Sequence, residues 1–97
     1  MLVSIIIINF NTLDLTRACI TSIIELTQGI DYEIVLVDNA STEGGLDTLP
    51  IEFPSVKLIR NKYNIGFAKA NNIGIHNSSG EFILLLNSDT ELQDNAV

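Results

Sequence analysis

A single cysteine, Cys19, and a single histidine, His76, leave the chain without the partners that several chemistries require. No internal disulfide can form, and neither a zinc site nor a Ser-His or Cys-His nucleophile finds its ligands or its base. Cys19 falls in an apolar helical stripe and reads as core packing; His76, on a late helical turn, reads as an exposed residue. Basic residues are scarce too. Five Lys and Arg stand against twelve Asp and Glu, and the net charge of −7 argues against a nucleic-acid partner, which needs a basic face. The turn at residues 8–13 has no glycine, so the dinucleotide fingerprint is absent, and no G-x-x-x-x-G-K-[ST] run exists. Long apolar runs are also missing. MLVSIIIINF is far shorter than the roughly 20 residues of a membrane span and lacks a basic n-region and a cleavage site. The expected location is the cytoplasm, or the inner face of the membrane. Without an export signal, the glycosylation patterns at Asn39 and Asn77 read as chance.

What is present alternates between strand and helix signals. Ninety-seven residues suit one domain of modest size. Residues 3–8 are an apolar, β-branched run of strand length. A helix follows, with Thr12 as its expected N-cap, Asp14 in the first turn and Gly29 as its stop. Leu15, Cys19, Ile23 and Leu26, widened by Ile20 and Ile24, form its expected inward stripe. Residues 33–37 form a second strand, 43–54 carry loop signals with one short helical turn, and 56–59 form a third strand. Residues 66–76 read as a second helix with Phe67, Ala70 and Gly74 inward, the small residues allowing close approach to the sheet. The unbroken apolar run 82–86 suits a strand buried on both faces, as in a central position of a parallel sheet. The order β-α-β-loop-β-α-β predicts an α/β fold: a doubly wound, mostly parallel sheet in three layers.

All four strands end in polar residues of one kind: Asn9 and Asn11, Asp38 and Asn39, Asn61 and Asn64, Asn87 and Asp89. In open α/β sheets ligands bind beyond the carboxyl ends of the strands, so four such endings predict one polar cleft. Asp38 is placed to accept from the ring N–H of a uracil or thymine, with Phe10 stacking on that base. Asp89 is placed to hold Mg²⁺ or Mn²⁺, which prefer oxygen ligands and bridge phosphates. Backbone N–H groups near Gly66, where the second helix opens, suit a diphosphate. Lys57, Arg60, Lys62 and Lys69, four of the five basic residues, form a segment free of Asp and Glu that would steer such an anion.

The blocks VSIIIINFNT, VLVDNAST, NIGFAKANNIGI and LLLNSDT resemble, in order, the donor-side blocks of glycosyltransferase family 2. These are inverting enzymes with the Rossmann-like GT-A fold. The GFA-x-x-N-N-x-G form with its N-S-D ending is most similar to the rhamnosyltransferase-type branch, which uses dTDP- or UDP-sugars in polysaccharide or glycolipid assembly. The resemblance implies nucleotide contacts at Ile8, Phe10, Asp38, Asn64, Gly66, Asn72 and Ser88, and a divalent metal at Asp89. One position departs: Asn87 stands where the D-x-D motif has its first aspartate, which leaves Asp89 as the main ligand. In this family the general base and the acceptor site lie downstream of these blocks. The 97 residues are therefore expected to be the single nucleotide-sugar-binding domain at the N-terminal end of a longer glycosyltransferase. That domain would bind the donor without transferring the sugar and could form a homo-oligomer. A non-catalytic nucleotide-binding or interaction domain on the same fold is the rival reading. Phosphoacceptor signalling on Asp38 fits less well, because Asn9 and Asn11 replace the acidic pair that it needs.

Overall fold

In the computed structural model, residues 2–87 are described, in the order β1 (Leu2–Asn9), α1 (Leu13–Leu26), β2 (Asp31–Asp38), a 3₁₀ turn (Leu46–Thr48), α2 (Leu49–Glu52), β3 (Val56–Arg60), α3 (Phe67–His76) and β4 (Phe82–Asn87). The four strands form one sheet in the order β3-β2-β1-β4, and every pairing is parallel. The expected α/β architecture is what forms. No helix among the described residues is long and apolar enough to cross a membrane.

Alternation along the strands sorts the apolar side chains onto two faces. Ile5, Ile7, Ile34 and Leu36 pack with Leu13, Cys19, Ile20 and Ile23 of α1 and with Leu46 and Leu49. On the other face Ile6, Ile8, Val35 and Val37 pack with Ala70 of α3. Burying β1 and β2 on both sides is why these strands read as continuous apolar runs. Gly74 lets α3 lie close: a Cβ there would stand 2.5 Å from Ile6 Cγ2 and 3.3 Å from Val37 Cγ2.

Several local expectations need correction. The inward face of α1 is Leu13, Thr16, Cys19, Ile20 and Ile23, while Leu15 and Ile24 point outward. Thr16, which the apolar stripe does not include, is buried, and its hydroxyl donates to Asn9 Oδ1 at 2.6 Å inside the fold. The helix ends at Leu26 with Thr27 as its C-cap, three residues before the left-handed backbone would relieve it at Gly29. Its first amide is capped from afar: Leu13 N–H donates to Glu43 Oε1 at 2.9 Å, and Thr12 makes no side-chain cap. Phe67 is exposed and not inward. Among the described residues the run at 82–86 stands at the edge of the sheet and not at its centre: it pairs there with β1 alone, and Ile83 and Leu85 stay exposed on the same side of the sheet as α3.

A cluster at the amino ends of the strands fixes β4 to the rest. Glu33 Oε2 accepts from Ser4 Oγ and from the Ser79 amide, both at 2.6 Å, and Ser4 Oγ accepts from the Gly80 amide at 2.7 Å.

Candidate nucleotide site

The register aligns Asn9 of β1 with Asp38 of β2, and Asp38 with Arg60 of β3, while Ile8 stands beside Asn87 of β4. All four strands therefore finish on one rim, as expected of a parallel sheet that binds beyond its carboxyl ends.

Two polar hubs organise that rim. Asn9 is fully buried; its amide donates to Asp38 Oδ1 at 2.9 Å and Ser41 Oγ at 3.1 Å, and its Oδ1 accepts from Thr12 and Thr16. The loops after β1 and β2 are thereby zipped together. Ser41 Oγ also accepts from the Asn11 amide, and Asn11 Oδ1 accepts from the amides of Thr42 and Glu43. Asn11 and Ala40 both hold positive φ, 53° and 65°, conformations that such a dense set of hydrogen bonds can enforce on non-glycine residues.

The second hub is Asn39. Its Oδ1 accepts from the Ile65 amide at 3.0 Å and from Asn61 Nδ2 at 3.3 Å. Its Nδ2 donates to Asn64 Oδ1 at 2.9 Å and to the Gly66 carbonyl at 3.3 Å. Asn64 Oδ1 accepts in turn from the Gly66 amide at 2.9 Å. Gly66 has φ 84°, the left-handed region that suits glycine, and it opens α3 without a side-chain cap. The first amides of α3 have no acceptor within the helix and carry its positive dipole end.

Phe10 is 46% exposed at the end of β1. Asn64 and Gly66 are exposed at the end of β3, and Asn72 is exposed on the second turn of α3. Phe10, Asn64 and Gly66 thus share the rim, as the sequence suggests. Ile8 is buried in the core under α3, so only its backbone can meet a ligand. Asp38 stands at the rim but is enclosed. Its side chain is 0% exposed, Oδ1 accepts from Asn9 and from Ser41 Oγ, and Oδ2 accepts from the Ser41 amide at 3.1 Å. A carboxylate enclosed in this way organises the loop beneath the rim. Ser88 and Asp89 lie outside the described residues. Among the described residues no group of three His, Cys, Asp or Glu side chains could hold a metal.

The basic segment is divided rather than gathered. Lys57 donates to the Asn77 carbonyl beyond the end of α3, at the opposite side of the sheet. Arg60 lies at the rim but is paired with Asp47 at 3.1 Å and stands 3.8 Å from Asp38. Lys62 and Lys69 remain as exposed cations near the start of α3. A depression of about 550 Å³ lined by Ile24, Tyr32, Phe53 and Pro54 lies at the amino ends of the strands, away from this rim. The sequence reading gave Asn9 and Asn39 only a place in the cleft, and Ser41 and Glu43 no role, although all four bind the rim's loops together. For Asn9, Asn39 and Ser41 the signal was only a short polar side chain at or just after a strand end; Glu43, five residues beyond β2, carried none.

Known proteins share this fold. The chain is 34% identical over its whole length to a poly(ribitol-phosphate) beta-glucosyltransferase of Bacillus spizizenii, covering 16% of that protein. It is 35% identical over 94% of its length to a PGL/p-HBAD biosynthesis glycosyltransferase of Mycobacterium tuberculosis, covering 36% of it. Among solved structures, a mannosyltransferase of Pyrobaculum calidifontis in complex with GDP-Man and Mn²⁺ superposes on 96% of the chain with a TM-score of 0.86 at 24% identity, covering 29% of that chain. TarS of S. aureus in complex with UDP does so over 92% of the chain with a TM-score of 0.80 at 25% identity, covering 28% of that chain. The chain thus spans about a third or less of these proteins. A family model described as Glycosyl transferase family 2 matches residues 4–97, and the chain belongs to that family.

Proposed function

We propose that the chain is the donor-binding half of an inverting transferase. It would accept a UDP- or dTDP-sugar, dTDP-rhamnose among the candidates, for transfer to a polysaccharide or glycolipid acceptor at the cytoplasmic face of the membrane. The observation that carries this reading is the common rim, with an exposed aromatic ring at the end of β1 and the uncapped start of α3 at the end of β3. The nucleotide complexes of its structural neighbours support it.

Phe10 offers a face for a pyrimidine to stack on, and the amides at the start of α3 receive the diphosphate, with Lys62 and Lys69 adding positive charge. Asn64 holds Gly66 open for close approach of the phosphates. Asn72 and Ser88 belong to the same proposed nucleotide set, and Asp38 contributes by shaping the loop below it. The oxygen donors of the Asn87-Ser88-Asp89 segment suit Mg²⁺ or Mn²⁺, with Asp89 the ligand. When bound, such an ion neutralises charge developing on the leaving diphosphate. The sequence offers no base assigned to acceptor activation, so binding without transfer is the expected behaviour of these 97 residues.

Titration calorimetry with UDP and dTDP, with and without Mn²⁺, tests the proposal. Binding strengthened by Mn²⁺ is expected, and Phe10→Ala should weaken it about tenfold, the size of one lost base–aromatic stack. An absence of heat with either nucleotide would refute it. The exposed apolar face of β4 favours a second reading, a domain whose task is association; a stable oligomer that binds no nucleotide would be its signature.

A further inference from the structure

We infer that Asn39 is the positioning residue that sets the diphosphate end of the site against its nucleoside end, an assignment that rests on the nucleotide-binding reading above. Asn39 follows directly on β2, and its own amide donates to the Asn9 carbonyl at 2.8 Å, so its backbone is tied to the end of β1, next to Phe10. Its side chain, 3% exposed, crosses the end of β3 and ties down residues 61–66 with two donated and two accepted bonds. One residue thus links the strand that precedes Phe10, through its backbone amide, to the glycine that opens α3, through its side chain. Positioning of this kind matters because an error of about 1 Å in a bound group can cost about a hundredfold in rate.

The residue type is specified as well as the place. The four partners are two donors, Asn61 Nδ2 and Ile65 N–H, and two acceptors, Asn64 Oδ1 and the Gly66 carbonyl. Only a primary amide of this length supplies both halves. An aspartate would set an acceptor against Asn64 Oδ1, which cannot simply turn over, since it also accepts from the Gly66 amide. The isosteric Asn39→Asp exchange therefore fails where a merely space-filling role would tolerate it.

The test compares UDP, which has the diphosphate, with uridine, which lacks it, by calorimetry and by NMR shift titration on the chain and its variants. Asn39→Ala and Asn39→Asp are expected to weaken UDP about tenfold or more while uridine stays within about twofold. Asn64→Ala, whose exposed side chain keeps the core intact, should weaken UDP selectively too, and the Asn39→Ala/Asn64→Ala double variant should be no weaker than Asn39→Ala alone. If Asn39→Ala proves unfolded by circular dichroism, the selective loss in Asn64→Ala and Asn39→Asp carries the result. UDP and uridine weakened equally, UDP unaffected, or strictly additive losses would overturn the positioning role while leaving the nucleotide site standing. Failure of the unaltered chain to bind UDP at all would remove both.

Discussion

Asp38→Asn separates a carboxylate that builds the fold from one that reads a ligand. In the native arrangement Oδ1 accepts from Asn9 and Ser41 Oγ, and Oδ2 accepts from the Ser41 amide, with Arg60 Nε at 3.8 Å. Asparagine keeps one oxygen, which can retain the first two bonds. Its NH₂ group then points at the Ser41 amide and the Arg60 guanidinium, both of them donors. A hydrogen bond to a charged acceptor, worth about 1.5–3 kcal/mol, is lost, and a buried donor is left facing another. The Arg60 pair adds little, because it is long at 3.8 Å and its guanidinium side is 42% exposed, where solvent screens it. The total is about 2–3 kcal/mol. With a urea m-value of about 1–1.5 kcal/mol/M for a chain of this size, the midpoint should fall by about 2 M with m unchanged. Urea unfolding followed by circular dichroism measures it. A loss below about 0.5 kcal/mol, paired with a sharp fall in UDP affinity, would refute the reasoning and return Asp38 to the base.

Three further outcomes follow from other parts of the structure. Burial pulls the Glu33 pKa up, but the Ser4 hydroxyl, the Ser79 and Gly80 amides and Lys57 outweigh it and leave it below its ordinary value. Its stabilising contribution is therefore complete above the unfolded carboxylate pKa and is lost as pH falls through the lowered folded one; Glu33→Gln should flatten the acid limb of a urea-midpoint profile, and an unchanged limb would contradict this. Gly74→Ala drives a methyl into Ile6 and Val37 and should cost about 1–3 kcal/mol, read as a lowered Tm; a raised Tm would show that helix propensity outweighs the contact. The open face of β4 should make the chain self-associate in sedimentation velocity, with Leu85→Lys shifting it toward monomer; a concentration-independent monomer would oppose that reading.

The sheet was legible because its signal is redundant. Continuous β-branched runs, polar endings and crossover lengths all indicate parallel strands, and β1 and β2 are buried on both faces as such runs imply. The same rule misplaced β4, since an apolar run reports that a strand is meant to be covered and not what covers it. The rim was legible as a place but not in its division of labour. Asp38 and Asn39 are adjacent, and charge drew attention to the first, while the hydrogen bonds give the second the wider reach. Thr16 and Glu43 escaped for a related reason: each satisfies a partner from another element, 7 and 30 residues away, and no local pattern encodes such a meeting. Phe67 was assigned by helical spacing, and spacing alone does not say where along its length a helix leaves the sheet.

The place of β1 between β2 and β4 has a consequence for how the protein is made. Its first neighbour is complete by Asp38, but Ser4 meets Gly80 across 76 residues of chain. At translation rates of about 5–20 residues per second, the stretch of roughly 50 residues from the end of β2 to the end of β4 leaves β1 with one edge bare for roughly 2–10 s. Of these four strands the first to be made is thus the one that waits longest for its second neighbour, and a nascent chain held in that interval presents an apolar edge to whatever chaperone stands at the tunnel exit.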